Sequence, residues 1–296
     1  TGWSSWWAYM RNFSQRDLAG LLAVWKEKQF AEYGYRFIQI DECFHQELGA
    51  GQARPIYPGA RPGSYVARGP ATWLDWRKDL YPDGLPGYVK SCRDAGFEPG
   101  IWIGTFYTDR ALITDHPDWF VRGSDGQPFV APWASCGVDA SNPEALEELV
   151  AKTYRGLRAA GLPYVKVDQL RHFLYDNLHR NPDFCLARGR RPDELFRTYL
   201  GAARRELGPD TFLLSCWGVL PEAIGIADAC RIGGDGYGPV TMQQYNSWNG
   251  IVWRNDPDHC DVFPRFKPAE AGNVQKTDAV RAAPADTLIR PALASI

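Results

Sequence analysis

The stretch GLPYVKVDQLRHF, residues 161–173, carries a charged pair where an apolar strand should end. Tyr164, Val165 and Val167 have the character of a buried strand, and Gly161 and Pro163 flank it as turn residues. Lys166 stands inside that strand and Asp168 at its end. Two residues apart, the two side chains lie on the same strand face. A lysine so placed can keep an aspartate ionised and can bond hydroxyl groups. A structural salt bridge explains a K-x-D equally well. Further acids fall at the ends of other apolar runs: Asp41 and Glu42, Asp139, and Asp235. Two facing carboxylates, one ionised to attack and one protonated to donate, are the minimum equipment for cleaving a glycosidic bond.

Elements that could position these acids recur along the chain as a strand pattern followed by a helical one. GWSSWWAY (2–9) reads as a first strand, with Ser14 capping a helix through LLAVWKEKQFAEY. YRFIQID (35–41) is a second strand, followed by a Gly/Pro-rich excursion over 46–84, long enough to be a functional loop. LPGYVKSCRDAG is a helix and FEPGIWIG (97–104) the third strand. SCGVDA (135–140) reads as the fourth, and Asn142-Pro143 opens the helix PEALEELVAKTYRGLRAAG. YVKVD is then the fifth, PDELFRTYLGAARRELG a helix and TFLLSCW (211–217) the sixth. PEAIGIAD is a short helix, ACRIGG the seventh strand, MQQYNSWNGIV a helix and HCDVF (259–263) the eighth. This alternation predicts an α/β fold, a (β/α)8 TIM barrel spanning 1–296, with active residues at the C-terminal ends of its strands. The chain opens on a strand and stops within an apparent helix, so it reads as a catalytic domain cut from a longer, multidomain protein.

Composition narrows the function. The chain has 296 residues, 45% of them hydrophobic, enough for a large core. A net charge of −2 with scattered basic residues offers nothing to nucleic acid or an anionic membrane, and the RGRR run at 188–191 reads as a solvated loop. No apolar run approaches the ~18 residues of a membrane span. The seven cysteines form no C-x-x-C pair and have no zinc-type spacing to the five histidines. Several lie in apolar runs, which favours a reducing, cytoplasmic setting over an oxidising one. Twelve tryptophans are unusual. Trp3, Trp6, Trp7, Trp102, Trp217 and Trp253 stand near predicted strand ends, where an indole serves either core packing or as a platform for the C–H face of a sugar.

GWSSW, YGYRFIQIDECF, HPDWFVRGSDGQPF, YVKVDQLR and WRNDPDHCDV, taken in order, resemble the retaining α-galactosidases (melibiases) of glycoside hydrolase families 27 and 36. The resemblance runs along nearly the whole chain. It implies a hydrolase of carbohydrate metabolism that releases a terminal α-galactosyl-type sugar from an oligosaccharide or glycoconjugate by double displacement, with no metal or organic cofactor. Oligomers are common in such families. The aspartate of the K-x-D pattern, here Asp168, is their nucleophile, and Arg171 fits the K-x-D-x-x-R form of family 36. The R-x-x-x-D arrangement that supplies a sugar-binding arginine and the proton donor in family 27 matches Arg231 and Asp235. Asp228 competes for the donor role but precedes its strand, at the wrong end of a barrel. Trp3 as stacking platform, Asp41, Glu42 and Lys166 on hydroxyls, and Cys216 and Trp217 at the sixth strand complete the implied substrate site. The NDPD aspartates are as suited to bracing the barrel as to touching substrate.

Two departures bear on specificity. The relatives carry I-D-D-G-W where this chain has IDECF. Glu42 reaches about 1.5 Å further than an aspartate, by one carbon–carbon bond. It would intrude where the C6 hydroxymethyl of galactose sits. β-L-Arabinopyranose has the same ring arrangement and no C6; alternatively, the pocket shifts slightly and galactose still binds. SCW at 215–217 replaces S-C-E-W, leaving the C2 substituent unread, so an N-acetyl group is admissible. Other readings are a transglycosylase of the raffinose-synthase kind, with the 46–84 loop shaping an acceptor site, and a carbohydrate-binding barrel without catalysis. A metal-dependent hydrolase would want clustered histidines, and His45, His172 and His259 are dispersed.

Overall fold

The computed structural model describes residues 1–9, 13–42, 44–45, 67–131, 135–216, 220–231 and 248–256, with the side chains of Trp7, Ala8 and Phe106 excepted. Its strands are β1 (Gly2–Ser4), β2 (Phe37–Ile40), β3 (Glu98–Gly104), β4 (Phe106–Tyr107), β5 (Val130–Ala131), β6 (Ser135–Gly137), β7 (Tyr164–Asp168), β8 (Phe212–Ser215), β9 (Ala229–Arg231) and β10 (Arg254–Asp256). Seven of them form one parallel sheet in the order β1-β2-β3-β7-β8-β9-β10. With α-helices in the connections from β1 through β8, this sheet is the wall of a TIM-type barrel.

Strands buried on both faces read as almost continuous apolar runs. The register separates the two faces. Ile38, Ile40, Ile101, Ile103, Val165, Val167 and Leu213 share one, and all are buried. Gln39, Trp102, Lys166 and Leu214 share the other, so the polar and charged residues collect on the barrel side. Gly100 is what lets this second face close. A Cβ there would meet the Tyr164 ring at 2.3 Å, and without one Tyr164 crosses β3 and donates its hydroxyl to Gln39 Oε1 at 2.8 Å.

The helices start where their capping residues predict. Ser14 caps Gln15–Glu27 in a reciprocal box with Asp17, and Asn142 accepts from the backbone N–H groups of Glu144 and Ala145 ahead of a helical run to Ala159. Pro192–Leu207 packs Leu195, Phe196, Tyr199 and Leu200 into the core.

Four expectations change. The segment 135–140 is not a barrel strand: β6 pairs antiparallel with β4 and β5 in a separate three-stranded sheet, and β3 pairs directly with β7. The strand ending at Asp168 is therefore the fourth of the parallel sheet, not the fifth. A strand at 254–256 was not expected, because RND offers no apolar alternation, yet it pairs parallel with β9. The helix expected through MQQYNSWNGIV does not reach its described end, since 248–251 are turn and bridge residues. The predicted first strand also stops early: Ser4 ends it, and a short helix follows over Trp6–Tyr9. HCDVF and the C-terminal apolar segment lie outside the described residues.

Candidate active site

Asp168 closes β7, opposite Gly104 of β3, at the C-terminal end of the sheet. Its carboxylate is held by neutral donors. The Trp102 indole N–H reaches Oδ2 at 2.9 Å and the Gln169 backbone N–H reaches Oδ1 at 2.5 Å. Trp102 lies opposite Lys166 in the register, one step below Asp168, which is why its ring edge meets the carboxylate. Trp73 and His45 stand edge-on to that ring, at centroid distances of 6.0 and 5.8 Å. The Thr105 hydroxyl donates to the Asp168 carbonyl at 3.3 Å.

Lys166 is 1% exposed, and its ammonium donates to Asp41 Oδ2 at 3.2 Å. The sequence pairs Lys166 with Asp168; in the fold its ion pair crosses to the end of β2 instead. Asp41 is 4% exposed and tied from several sides. Gln39 Nε2 donates to Oδ2 at 2.9 Å and the Glu42 N–H to Oδ1 at 2.9 Å. The Asp41 N–H itself donates to the Ser5 hydroxyl at 2.9 Å. Such a buried pair persists only when its remaining hydrogen-bonding capacity is met, which these donors do.

Cys216 follows β8, where its N–H donates to the Val167 carbonyl at 2.7 Å and brings its side chain beside Asp168. The thiol is fully buried. That burial, first, and the negative charge of Asp168, second, push it well above the ordinary cysteine range; Lys166 and Arg231 pull the other way, and a hydrogen bond with Asp168 adds to the rise. Arg231, 1% exposed, ends β9 opposite Asp256. Asp41, Lys166, Asp168, Cys216 and Arg231 thus converge on one end of the barrel face from four strands. Glu42, half-buried, adjoins them.

Other expected site residues fall elsewhere. Trp3 is paired with Ile38, on the face away from Gln39 and Asp168, and its ring packs on Phe13 and Tyr9 at 5.1 and 6.1 Å. That register removes it as a platform above Asp168. Trp6, half-buried, is the indole that follows the strand's end. Arg171 is exposed on the π-helical turn Leu170–Tyr175, where its charge acts on the Tyr175 hydroxyl. Asp139 is a brace, bound by Arg188 Nε at 2.6 Å and by the Ser141 hydroxyl at 2.5 Å. Asp228 accepts from Arg204 Nη2 at 2.5 Å and the Leu213 N–H at 2.7 Å, at the N-terminal end of the sheet. Asp235 and Trp217 lie outside the described residues. The contact that sequence reasoning missed is the Trp102 indole on Asp168. Trp102 was named for its place near a strand end, but only the β3–β7 register shows what its N–H faces.

No protein-family model matches the chain. Its fold, however, is found in solved glycosidases. TtGalA, an α-galactosidase from Thermus thermophilus in complex with stachyose, superposes with a TM-score of 0.65 at 20% identity, over 94% of this chain and 58% of that one. Abp-WT, a GH27 β-L-arabinopyranosidase from Geobacillus stearothermophilus, gives 0.63 at 16% identity, over 87% and 60%. A variant of AgaA, a GH36 α-galactosidase from the same organism, in complex with 1-deoxygalactonojirimycin, gives 0.60 at 17%, over 85% and 33%. The chain spans between a third and three fifths of the length of these proteins. It shares its fold with α-galactosidases and a β-L-arabinopyranosidase, among them members of glycoside hydrolase families 27 and 36.

Proposed function

We propose that this barrel belongs to a retaining exo-glycoside hydrolase that releases a terminal sugar of galacto configuration. The observation that carries the reading is the Asp168 carboxylate, presented at the C-terminal end of the sheet by two N–H donors. Beside it stand the buried Lys166–Asp41 pair and Arg231. Asp168 attacks the anomeric carbon and displaces the leaving oxygen, which Asp235 protonates. The glycosyl ester then yields to water that Asp235 deprotonates, so two inversions leave the configuration retained. Lys166 and Asp41 together offer a donor and an acceptor to neighbouring ring hydroxyls, and Arg231 supplies positive charge.

Among sugars of that ring geometry, we favour β-L-arabinopyranose over α-D-galactose. Both activities occur among proteins sharing the fold, so the fold does not separate them. Glu42 does. Its N–H is anchored on Asp41 Oδ1, and from there a side chain one carbon longer than that of aspartate would crowd a C6 hydroxymethyl.

The test compares hydrolysis of aryl β-L-arabinopyranoside, aryl α-D-galactopyranoside and aryl α-N-acetylgalactosaminide by the wild-type protein and Asp168→Asn. Preference for the arabinoside, lost in the variant, supports both parts. Preference for either hexoside keeps the mechanism and overturns the Glu42 argument. Full activity in Asp168→Asn removes the nucleophile assignment.

A further inference from the structure

Among the described residues, two that are not glycine adopt a left-handed backbone, Gln29 at φ 56° and Gln169 at φ 63°. Gln29 is exposed at a surface turn, where a left-handed residue commonly ends a helix. Gln169 is different. It ends no helix; it directly follows the strand residue Asp168. Glutamine gains nothing locally from this conformation, which favours glycine and asparagine. Nor does its side chain hold it there, since the buried Oε1 meets no donor among the described residues.

What holds it is its main chain. The N–H donates to Asp168 Oδ1 at 2.5 Å, and the carbonyl accepts from the Phe173 N–H at 3.0 Å, opening the π-helical turn Leu170–Tyr175. Leu170, Phe173 and Leu174 anchor the following turn in the core, so a negative φ at 169 could be accommodated only by turning the 168–169 peptide, and that rotation carries the N–H off the carboxylate. Strained backbone of this kind persists where the surrounding structure over-determines it, and it gathers at functional sites.

We propose that Gln169 is a positioning residue for the nucleophile: its left-handed main chain sets one N–H on Asp168 Oδ1 while the Trp102 indole N–H holds Oδ2. Both carboxylate oxygens are fixed before substrate arrives. With the Cys216 thiol also bonded to this carboxylate, three donors meet about four acceptor sites, which leaves a lone pair for the attack. The inference rests on the reading of Asp168 as nucleophile. It adds that the backbone of the next residue, not its side chain, aims the attack.

The experiment uses the full-length protein with substitutions at 169 that differ in their access to the left-handed region. Gln169→Gly and Gln169→Asn enter it readily; Gln169→Val, β-branched, does not. The expected order of kcat is Gly and Asn together, with Val lower by on the order of 10- to 100-fold, the worth of a hydrogen bond to a charged group. KM stays within about threefold across the series, and melting temperature rises for Gly and falls for Val. A turnover-free readout accompanies it: the Gln169 amide proton resonates far downfield in wild type and moves upfield in Asp168→Ala. Equal kcat for Val and Gly, or an unmoved amide resonance, overturns the proposal. Equal losses for Gly and Val also overturn it, by assigning the effect to the side chain. Azide provides the separate check on Asp168. If azide restores turnover to Asp168→Gly while Gln169→Val matches Gln169→Gly, the nucleophile stands and the backbone role alone falls. If Asp168→Gly is as active as wild type, both fall.

Discussion

Asp168 and Asp228 lie at opposite ends of the same sheet, and their partners differ in kind. Asp228 receives a guanidinium N–H from Arg204 at 2.5 Å and a backbone N–H from Leu213, and the Arg204 guanidinium also caps the carbonyls of Ile226, Gly208 and Thr211. It is one corner of a knot that ties helix Pro192–Leu207 to the foot of β8 and β9. Asp168 receives an indole N–H and a backbone N–H, and the ammonium on its own strand is bonded to Asp41. A carboxylate satisfied by a cation is spent on holding the fold. One oriented by neutral dipoles keeps nucleophilic character, and the energy it would have gained from an ion pair is forgone. On the proposed reading of Asp168, these two donor sets mark a stabilising end and a reactive end of the barrel.

The sharpest way to break this comparison is to make both carboxylates amides. Asp168→Asn should lower hydrolysis by on the order of 10^4-fold, as removal of a covalent nucleophile does, with melting temperature within a degree or two of wild type. Asp228→Asn should do the converse, leaving turnover per folded molecule intact and lowering stability. The comparison fails if Asp228→Asn reduces turnover of the folded protein as severely.

Next in size is Lys166→Met. It leaves Asp41 with an uncompensated buried charge, a change worth about 3–5 kcal/mol when one partner of a buried pair is removed. Both side chains are at most 5% exposed, so little solvent screening relieves it. Denaturant titration should show that loss. Activity should fall too, which places Lys166 between the two extremes: a reactive-end residue that also holds the fold. A stability loss below about 1 kcal/mol would mean the pair is not buried in solution.

Trp102→Phe keeps an aromatic ring against Trp73 and His45 and deletes only the N–H on Asp168 Oδ2. The loss of one donor to a charged acceptor is worth roughly 1.5–3 kcal/mol, which predicts about a 10- to 100-fold fall in kcat with KM nearly unchanged. A KM effect alone would make Trp102 a packing or binding residue.

Much of the scaffold is legible in the sequence because parallel strands and capped helices carry local signals. YVKVD, FLLS and EPGIWIG are read from their apolar runs, and Ser14 and Asn142 from cap chemistry. What was misread depends on pairing. SCGVDA has the composition of a barrel strand but joins an antiparallel satellite, since a short apolar run does not declare its partner. RND declares nothing at all and pairs with β9. Trp3 was named as a stacking platform from the resemblance alone; strand alternation fixes a face only relative to neighbours, and its neighbour is Ile38. In the candidate site, Asp41 and Asp168 were named from strand ends, Lys166 from its place inside the same strand as Asp168, and Cys216 and Arg231 from the resemblance. That Lys166 bonds Asp41, and that Trp102 bonds Asp168, are facts of register and could not be read from spacing.

The smallest effect separates the two aspartates through a third residue. Burial, then the charge of Asp168, hold the Cys216 thiol well above its ordinary value. A group whose folded value is raised contributes stability that is fully present below its unfolded value of 9.0 and is lost as pH rises through the folded value. Cys92 and Cys136, pushed up to about 12 by burial, behave alike. Melting temperature should therefore decline from about pH 9 upward, each thiol steepening the decline by about 1.4 kcal/mol per pH unit across its window. Asp168→Asn removes one cause of the rise at Cys216, so this variant's decline should run parallel to that of wild type and end at a lower pH. Asp228, at the opposite end of the sheet from Asp168, should lower the whole curve when changed to asparagine without altering its slope. A decline that ends at the same pH in wild type and Asp168→Asn would show that the charge of the carboxylate does not reach the thiol, and would loosen the candidate cluster from four strands to three.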